Sequence, residues 1–314
     1  MAAANFTGDG QQKTVQQLMC SAGLTAGLHG QLTFISVLNT VLSVTAFLGN
    51  ALILIALHKE SSSLHPPSKL LLRSLATADL CVGLFAEPLS VGYWMSEVNE
   101  HWNICPYLSL VSFVTSYILC GVSFATLTEL SVDRLLALLL GLRYRQVVTL
   151  KRTYLTVITT WVIAAVFSGM VFWNPLITLW YGTIGIPLYL IISIFSYTKI
   201  FLTLHHRNTQ IHSHNVQQPN QTNQLNIGRY KKAVSTVIWL QLTLVACYLP
   251  HGVVTTLWAK SGLSVSVYHA RIYTATLIFL NSSLNPILYC WKLDEVRQAV
   301  KDTVRKVLRH CFTS

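Results

Sequence analysis

Residues 104–139 read ICPYLSLVSFVTSYILCGVSFATLTELSVDRLLALL, opening on Ile104-Cys105-Pro106 and closing on Leu138-Leu139. Roughly 20 mostly apolar helical residues span the hydrocarbon core of a bilayer, and this run is long enough to do so. Six more stretches read the same way: Leu32 to Leu57, Leu70 to Met95, Tyr154 to Pro175, Leu176 to Leu204, Ala233 to Lys260 and Val265 to Trp291. In chain order they are helices 1 to 7, the quoted run being helix 3. Almost nothing is left for a separate soluble domain. The expected fold is an all-α membrane protein, a seven-transmembrane helix bundle over residues 31–291 with a tail over 1–30 and a closing segment over 292–314.

Composition supports a bilayer as solvent. The 314 residues are 52% hydrophobic and only 11% charged, with a mean hydropathy of +0.49, too little polar residue to cover a water-soluble globule of this size. Lys and Arg in short loops stay on the cytoplasmic side. Lys59, Lys69 and Arg73 follow helix 1, and Arg143, Arg145, Lys151 and Arg152 follow helix 3. Arg207, Arg229, Lys231 and Lys232 fall between helices 5 and 6, and Lys292, Arg297, Lys301, Arg305, Lys306 and Arg309 after helix 7; the opposite side has little beyond Lys13, Lys260 and Arg271. The amino terminus is expected outside and the carboxyl terminus inside, in the plasma membrane. The net charge of +11 then faces anionic lipid and calls for no nucleic-acid partner.

Asn5-Phe6-Thr7 is a glycosylation acceptor in the expected external tail. No stretch ahead of helix 1 has the make-up of a signal peptide, so helix 1 is expected to direct insertion itself. The first 30 or so residues show no periodicity and read as a mobile tail that says little of a ligand. Of seven cysteines, none has metal-ligand spacing; Cys81, Cys120 and Cys247 read as small buried hydrophobes, and Cys20 and Cys105, both on the oxidising side, are a candidate disulfide. The segment His205 to Gly228, rich in Asn, Gln and His, reads as a flexible cytoplasmic connector. Its His205, His206, His212 and His214 are either metal ligands or, the blander reading, a solvated loop. After helix 7, Leu293, Val296, Val300, Val304, Val307 and Leu308 recur at helical spacing between basic residues, the pattern of an amphipathic helix on the inner leaflet, with Cys311 an acylation candidate. Helices 4 and 5 are joined by little more than Asn174-Pro175, so no long lid covers the outer mouth.

Ionisable groups at bilayer depth need a partner or a role. Asp79 lies within Leu75-Ala76-Thr77-Ala78-Asp79-Leu80, Asp133-Arg134 at the inner end of helix 3, and Asn285-Pro286-Ile287-Leu288-Tyr289 near the inner end of helix 7. With Gly49-Asn50, Ser123, Ser131-Val132-Asp133-Arg134, Trp161, Tyr197 and Cys247-Tyr248-Leu249-Pro250 these marks fall in order along nearly the whole chain, which thereby resembles the rhodopsin-like, class A G-protein-coupled receptors. The resemblance implies a receptor, not an enzyme, that activates heterotrimeric G proteins in response to an extracellular ligand. It implies no cofactor beyond an allosteric sodium ion held by Asp79, Ser123, Asn281 and Asn285 with Asn50 nearby; the other reading is a water-mediated structural network. By the same resemblance Arg134 pairs with Asp133 at rest and turns toward the G protein on activation, with Tyr197 and Tyr289 moving in behind it, Pro250 and Pro286 as kinks, and Leu142 as a knob docking on the α subunit or else a plain interfacial residue. Relatives often restrain this arginine with an acid at the inner end of helix 6; this chain has Arg229-Tyr230-Lys231-Lys232 there, which predicts raised basal signalling.

Departures limit the carry-over. Leu135 replaces the usual Tyr after Asp-Arg, Tyr248 the usual Trp before the helix 6 proline, and Tyr189 the usual helix 5 proline, with Pro187 two residues earlier. Cys105 lies four residues earlier than usual and the second outer loop offers it no partner, so the family's standard disulfide is absent. A short second outer loop without cysteine and a lost helix 5 proline are similar to the melanocortin branch and its adenosine, cannabinoid and lysophospholipid neighbours. The acidic cluster of the melanocortin receptors is not reproduced, since Glu87 stands alone.

Class A ligands sit in the outer half of the bundle, and by position Glu87, Ser112, Ser116, Tyr117, Cys120, Tyr181, Tyr248, His251, Thr255, Arg271 and Ala275 would line that site. Ser116 stands where amine receptors carry an aspartate, which disfavours amines; a small molecule, a lipid or a peptide remains. Glu87, beside Pro88, is placed to meet a ligand cation or an internal partner such as Arg271. His251 is placed to bond ligand and make the response pH-sensitive, or simply to bond a neighbouring hydroxyl. An opsin is excluded by the lack of a helix 7 lysine, Phe279 standing in its position. A transporter or channel is the competing class, but no internal repeat or paired broken helices support it, and no nucleophile, base and orienting group can be assembled for an enzyme.

Overall fold

The computed structural model describes residues 19–25, 27–58, 65–214 and 221–292, together with 297, 298, 300, 301 and 305. For 207, 208, 210–214, 221–234, 236–238, 240, 291 and 292 it describes backbone alone. Asn5 and Cys311, and most of the amphipathic segment after helix 7, lie outside the described residues.

Seven long helical stretches make up the described chain: α1 His29–His58, α2 in three parts (Pro66–Cys81, a π turn Val82–Ala86, and Glu87–Val98), α3 Cys105–Leu140, α4 Leu150–Gly169, α5 Pro175–His214, α6 Gln221–Ser261 and α7 Val265–Lys292. They pack in sequence around a ring that α7 closes against α1, with α3 touching α2, α4, α5 and α7. Five contain a window apolar enough to cross a membrane unaided. The exceptions, α2 and α7, carry Asp79, Glu87, Asn281 and Asn285, all buried, because unpaired polar groups cannot face lipid. Outward faces are apolar, with Phe34 on α1, Leu155 on α4, and Ile184 and Ile191 on α5 exposed.

Local chemistry sets several bounds. Pro66-Pro67 opens α2 and Pro106 lies in the first turn of α3, where a missing N–H costs nothing. Pro88 comes two residues after the π turn, as expected where a proline removes a helical bond and crowds the preceding turn. α4 starts earlier than expected because Thr149 caps it at the Arg152 N–H. The expected connector from His205 to Gly228 is corrected: α5 continues to His214 and α6 begins at Gln221, so polar composition there marks helices extending past the apolar core. After α7, Arg297, Lys301 and Arg305 are helical and exposed at four-residue spacing, while Val300 is half-buried and packs against the core.

Two helix contacts are close. A Cβ on Gly49 would lie 2.9 Å from Cγ of Pro286, and one on Gly83 would lie 2.7 Å from the Ser43 carbonyl, whose hydroxyl donates to the Gly83 carbonyl at 2.6 Å. Polar seams join other pairs: Asn39 donates to Thr276 and Thr45 to Ser283 across α1 and α7, Trp161 donates to Ser74, and Thr160 of α4 donates to Glu129 of α3. Sequence reading overlooked Glu129.

The reading of residues 1–30 as an uninformative tail fails at residues 19–25, 27 and 28. Cys20 and Cys105 form a disulfide, Ala22–Thr25 is a helical turn, and Met19 is buried among Phe113, Val171, Leu179 and Trp258. An apolar methionine beside a cross-linked cysteine thus closes over the Cys105 end of the bundle.

Candidate functional site

Helical spacing builds a cavity in the Cys105 half of the bundle. Residues at steps of three or four on α3 (Phe113, Ser116, Tyr117, Cys120, Phe124), α5 (Tyr181, Gly185, Tyr189) and α7 (Tyr268, Arg271, Ala275, Ile278) point to one space, which Tyr248 and His251 of α6 complete. It leaves about 970 Å³ unfilled by protein, the solvent at its open mouth included. The wall nearest Arg134 is a parallel stack of Phe124 on Tyr248, centroids 3.9 Å apart, with Tyr189 edge-on to Phe124. Ser116 Oγ and Tyr248 Oη are buried without a hydrogen-bond partner.

Of the expected lining, Ser112, Ser116, Tyr117, Cys120, Tyr181, Tyr248, His251, Arg271 and Ala275 do line the cavity. Glu87 and Thr255 do not; both are buried in helix contacts. Glu87 is also not paired with Arg271: both its carboxylate oxygens lack a hydrogen-bond partner, while the guanidinium of Arg271 lies 5.3 Å from the Phe113 ring centre and 4.8 Å from that of Trp258 and donates to the Met19 sulfur at 3.4 Å. His251 takes its blander reading, Nδ1 lying 3.1 Å from the Thr274 hydroxyl. Sequence reading missed Phe124, Tyr189 and Tyr268, and also Glu97, which accepts the Tyr268 hydroxyl proton while Tyr93 and Tyr268 hydroxyls lie 3.1 Å apart. Spacing was the available signal: Tyr268 is one turn before Arg271, and Tyr189 two turns after Tyr181.

Between the cavity and the Arg134 end lies a polar hub. Asp79 Oδ1 accepts from Ser123 at 2.6 Å and Ser282 at 2.8 Å, and Oδ2 from Asn285 at 2.7 Å, so one carboxylate ties α2 to α3 and α7. Asn50 donates to the Ser282 carbonyl at 3.1 Å, adding α1. Buried Asn281 Nδ2 and Asn50 Oδ1 have no partner. The carboxylate, the hydroxyls and the spare Asn50 oxygen suit a small hard cation or water, and the spare Asn281 N–H a water. Among the described residues no group of three His, Cys, Asp or Glu would hold a metal; the side chains of His212 and His214 lie outside them.

At the Arg134 end the expected pairing is corrected. Asp133 accepts from Ser68 at 2.7 Å and from the Tyr144 hydroxyl; among the described residues no ion pair joins it to Arg134, which is exposed. Tyr144, eleven residues on, supplies the donor that sequence reading had assigned to the arginine. Tyr197 and Tyr289 are buried in the same core as Leu130 and Leu135, and Leu142 is 98% exposed. Pro250 and Pro286 lie inside α6 and α7. The side chains of Arg229, Tyr230, Lys231 and Lys232 lie outside the described residues.

Residues 49–289 match the model of the seven-transmembrane receptor family of rhodopsin type. The chain is 23% identical to the high-affinity lysophosphatidic acid receptor of Xenopus laevis, over 88% of this chain and 83% of that protein. It is 24% identical to adenosine receptor A3 of Ovis aries, over 91% and 93%, and 26% identical to trace amine-associated receptor 9 of Homo sapiens, over 85% and 83%. Two of these relatives are of the lysophospholipid and adenosine kinds to which the sequence leaned, but a trace amine-associated receptor at similar identity means that no single branch is marked out. The match from Gly49 to Tyr289, spanning α1 to α7, makes this multi-pass membrane protein a member of the rhodopsin family of G-protein-coupled receptors.

Proposed function

We propose that the cavity takes the receptor's extracellular ligand and that the Asp79 hub transmits its presence to a G protein at the Arg134 end. The observation that carries this reading is the position of the hub. It lies between the Phe124–Tyr248 wall and the Arg134 end, and three helices converge on one carboxylate. A ligand that binds better to one arrangement of these helices shifts the population that binds G protein. Ser116 and Tyr248, with unpaired hydroxyls, orient the ligand. Asp79, Ser123, Asn281 and Asn285 would hold sodium, which supplies positive charge beside the carboxylate and favours the resting arrangement. Arg134 and the exposed Leu142 meet the G protein, with Tyr197 and Tyr289 moving in behind the arginine. The amino terminus lies outside the plasma membrane and the carboxyl terminus inside, as the basic loops favour.

The test is ligand-free G protein activation in cells, wild type against Arg134→Ala at matched surface expression, with a sensor for each α-subunit class. We expect a basal signal in at least one class that the substitution removes. Silence in every class would refute the basal activity, and a signal that survives Arg134→Ala would refute the assigned coupling face.

A further inference from the structure

We infer that the ligand is an amphiphile with a single acidic head, seated on Arg271 in place of the Met19 thioether, and an apolar body lying toward the Phe124–Tyr248 wall. This rests on the reading that the cavity is the ligand site.

Charge around the cavity supports it. Arg271 is the one formally charged side chain among the lining residues. Glu97 accepts from Tyr268 and does not line the cavity; Glu87 does not line it either, and His251 is engaged by Thr274. A cationic ligand would meet Arg271 with no lining carboxylate to offset it. The guanidinium carbon lies over the Phe113 and Trp258 rings, which stand 82° to one another and so pack it from two adjacent sides, leaving N–H groups for hydrogen bonding. The partner of one of these is the Met19 sulfur, a weak acceptor. A carboxylate or phosphate oxygen there would form charge-assisted bonds of about twice the strength. The remaining walls are largely aromatic and aliphatic, unsuited to a second charge and suited to an apolar chain. Met19 is unbranched and adaptable, so it can withdraw while Cys20 stays anchored to Cys105.

The experiment is thermal unfolding of the purified full-length receptor in nanodiscs of zwitterionic lipid, titrated with oleate, oleyl phosphate or oleyl alcohol. We expect oleate or oleyl phosphate to raise Tm saturably and oleyl alcohol to leave it unchanged. Whichever acid acts at lower concentration identifies the head as carboxylate or phosphate. Arg271→Gln should shift the acid's titration by roughly 10- to 100-fold, the loss of a hydrogen-bonded charge, and Arg271→Lys by less. Ligand-free Tm and surface expression show whether the Gln variant folds, and the Lys variant keeps the test open if it does not. Equal effects of acid and alcohol, an unshifted titration in Arg271→Gln, or no effect of either acid would overturn the inference. None of these would touch the receptor reading, which is read separately from the Arg134-dependent signal.

Discussion

Asp79→Ala should loosen the bundle and disturb its balance of states together. Alanine removes the acceptor of three buried donors, Ser123, Ser282 and Asn285. The two serines can turn to a carbonyl one helical turn back, as serines in helices do. The Asn285 amide would have to turn in the same way, as Asn39 and Asn50 do toward the Ile35 and Ala46 carbonyls; if that amide alone stays stranded, the cost is about 1–3 kcal/mol. If neither serine recovers a partner the cost is roughly three times as large. Asp79→Asn keeps one carbonyl oxygen for the serines and sets an amide N–H against Asn285, which an amide flip of Asn285 repairs. Its cost is the lost charge assistance, about 1 kcal/mol. The order of Tm in nanodiscs should be wild type, then Asn, then Ala. Replacing choline chloride by sodium chloride should raise Tm for wild type alone, and basal signalling should change in both variants. An Ala variant that melts with wild type and keeps its sodium increment would refute both the hub and the ion site.

Cys20→Ser, Cys105→Ser and the double substitution should each lower Tm equally, because all remove one cross-link closing an 85-residue separation, a loss of about 2–5 kcal/mol; a double variant much worse than either single one would show another role for a cysteine. Gly49→Ala should cost about 1–3 kcal/mol by overpacking, since its Cβ meets the rigid Pro286 ring at 2.9 Å. Gly121→Ala, with nothing within 4 Å of the added carbon, should be neutral or slightly stabilising in the same melt, and equal losses at both positions would discredit the α1–α7 contact.

The helices were legible because apolar run length is a strong signal. The hub was legible because Asp79 and Asn285 are conspicuous in lipid and recur in an ordered family pattern. What escaped depended on partners distant in sequence. Glu87 and Arg271 looked complementary, yet Arg271 is held by two aromatic faces and a methionine from the supposed tail. Nothing in residues 1–30 announces Met19, whose position follows from a disulfide that sequence left open. The helical ends of α5 and α6 were read as loop because Asn, Gln and His suit either, and periodicity fails where a helix has no apolar neighbour to face.

The departures at Leu135, Tyr144 and Tyr248 bear on how the bundle rests. Asp133 is engaged by Ser68 of α2 and by Tyr144 in the turn after α3, so this acid fastens α3 to its own side of the bundle and leaves Arg134 exposed. No acid at 229–232 takes its place. One restraint on α6 lies higher in the bundle, where the Tyr248 ring stacks on Phe124 of α3. An aromatic pair of this kind contributes about 0.5–1.5 kcal/mol beyond its burial. A contact of that size shifts an equilibrium by roughly 2- to 12-fold, a weak hold that fits a basal signal without ligand. The same pair forms the cavity wall, so a ligand body resting against it acts directly on the contact between α3 and α6.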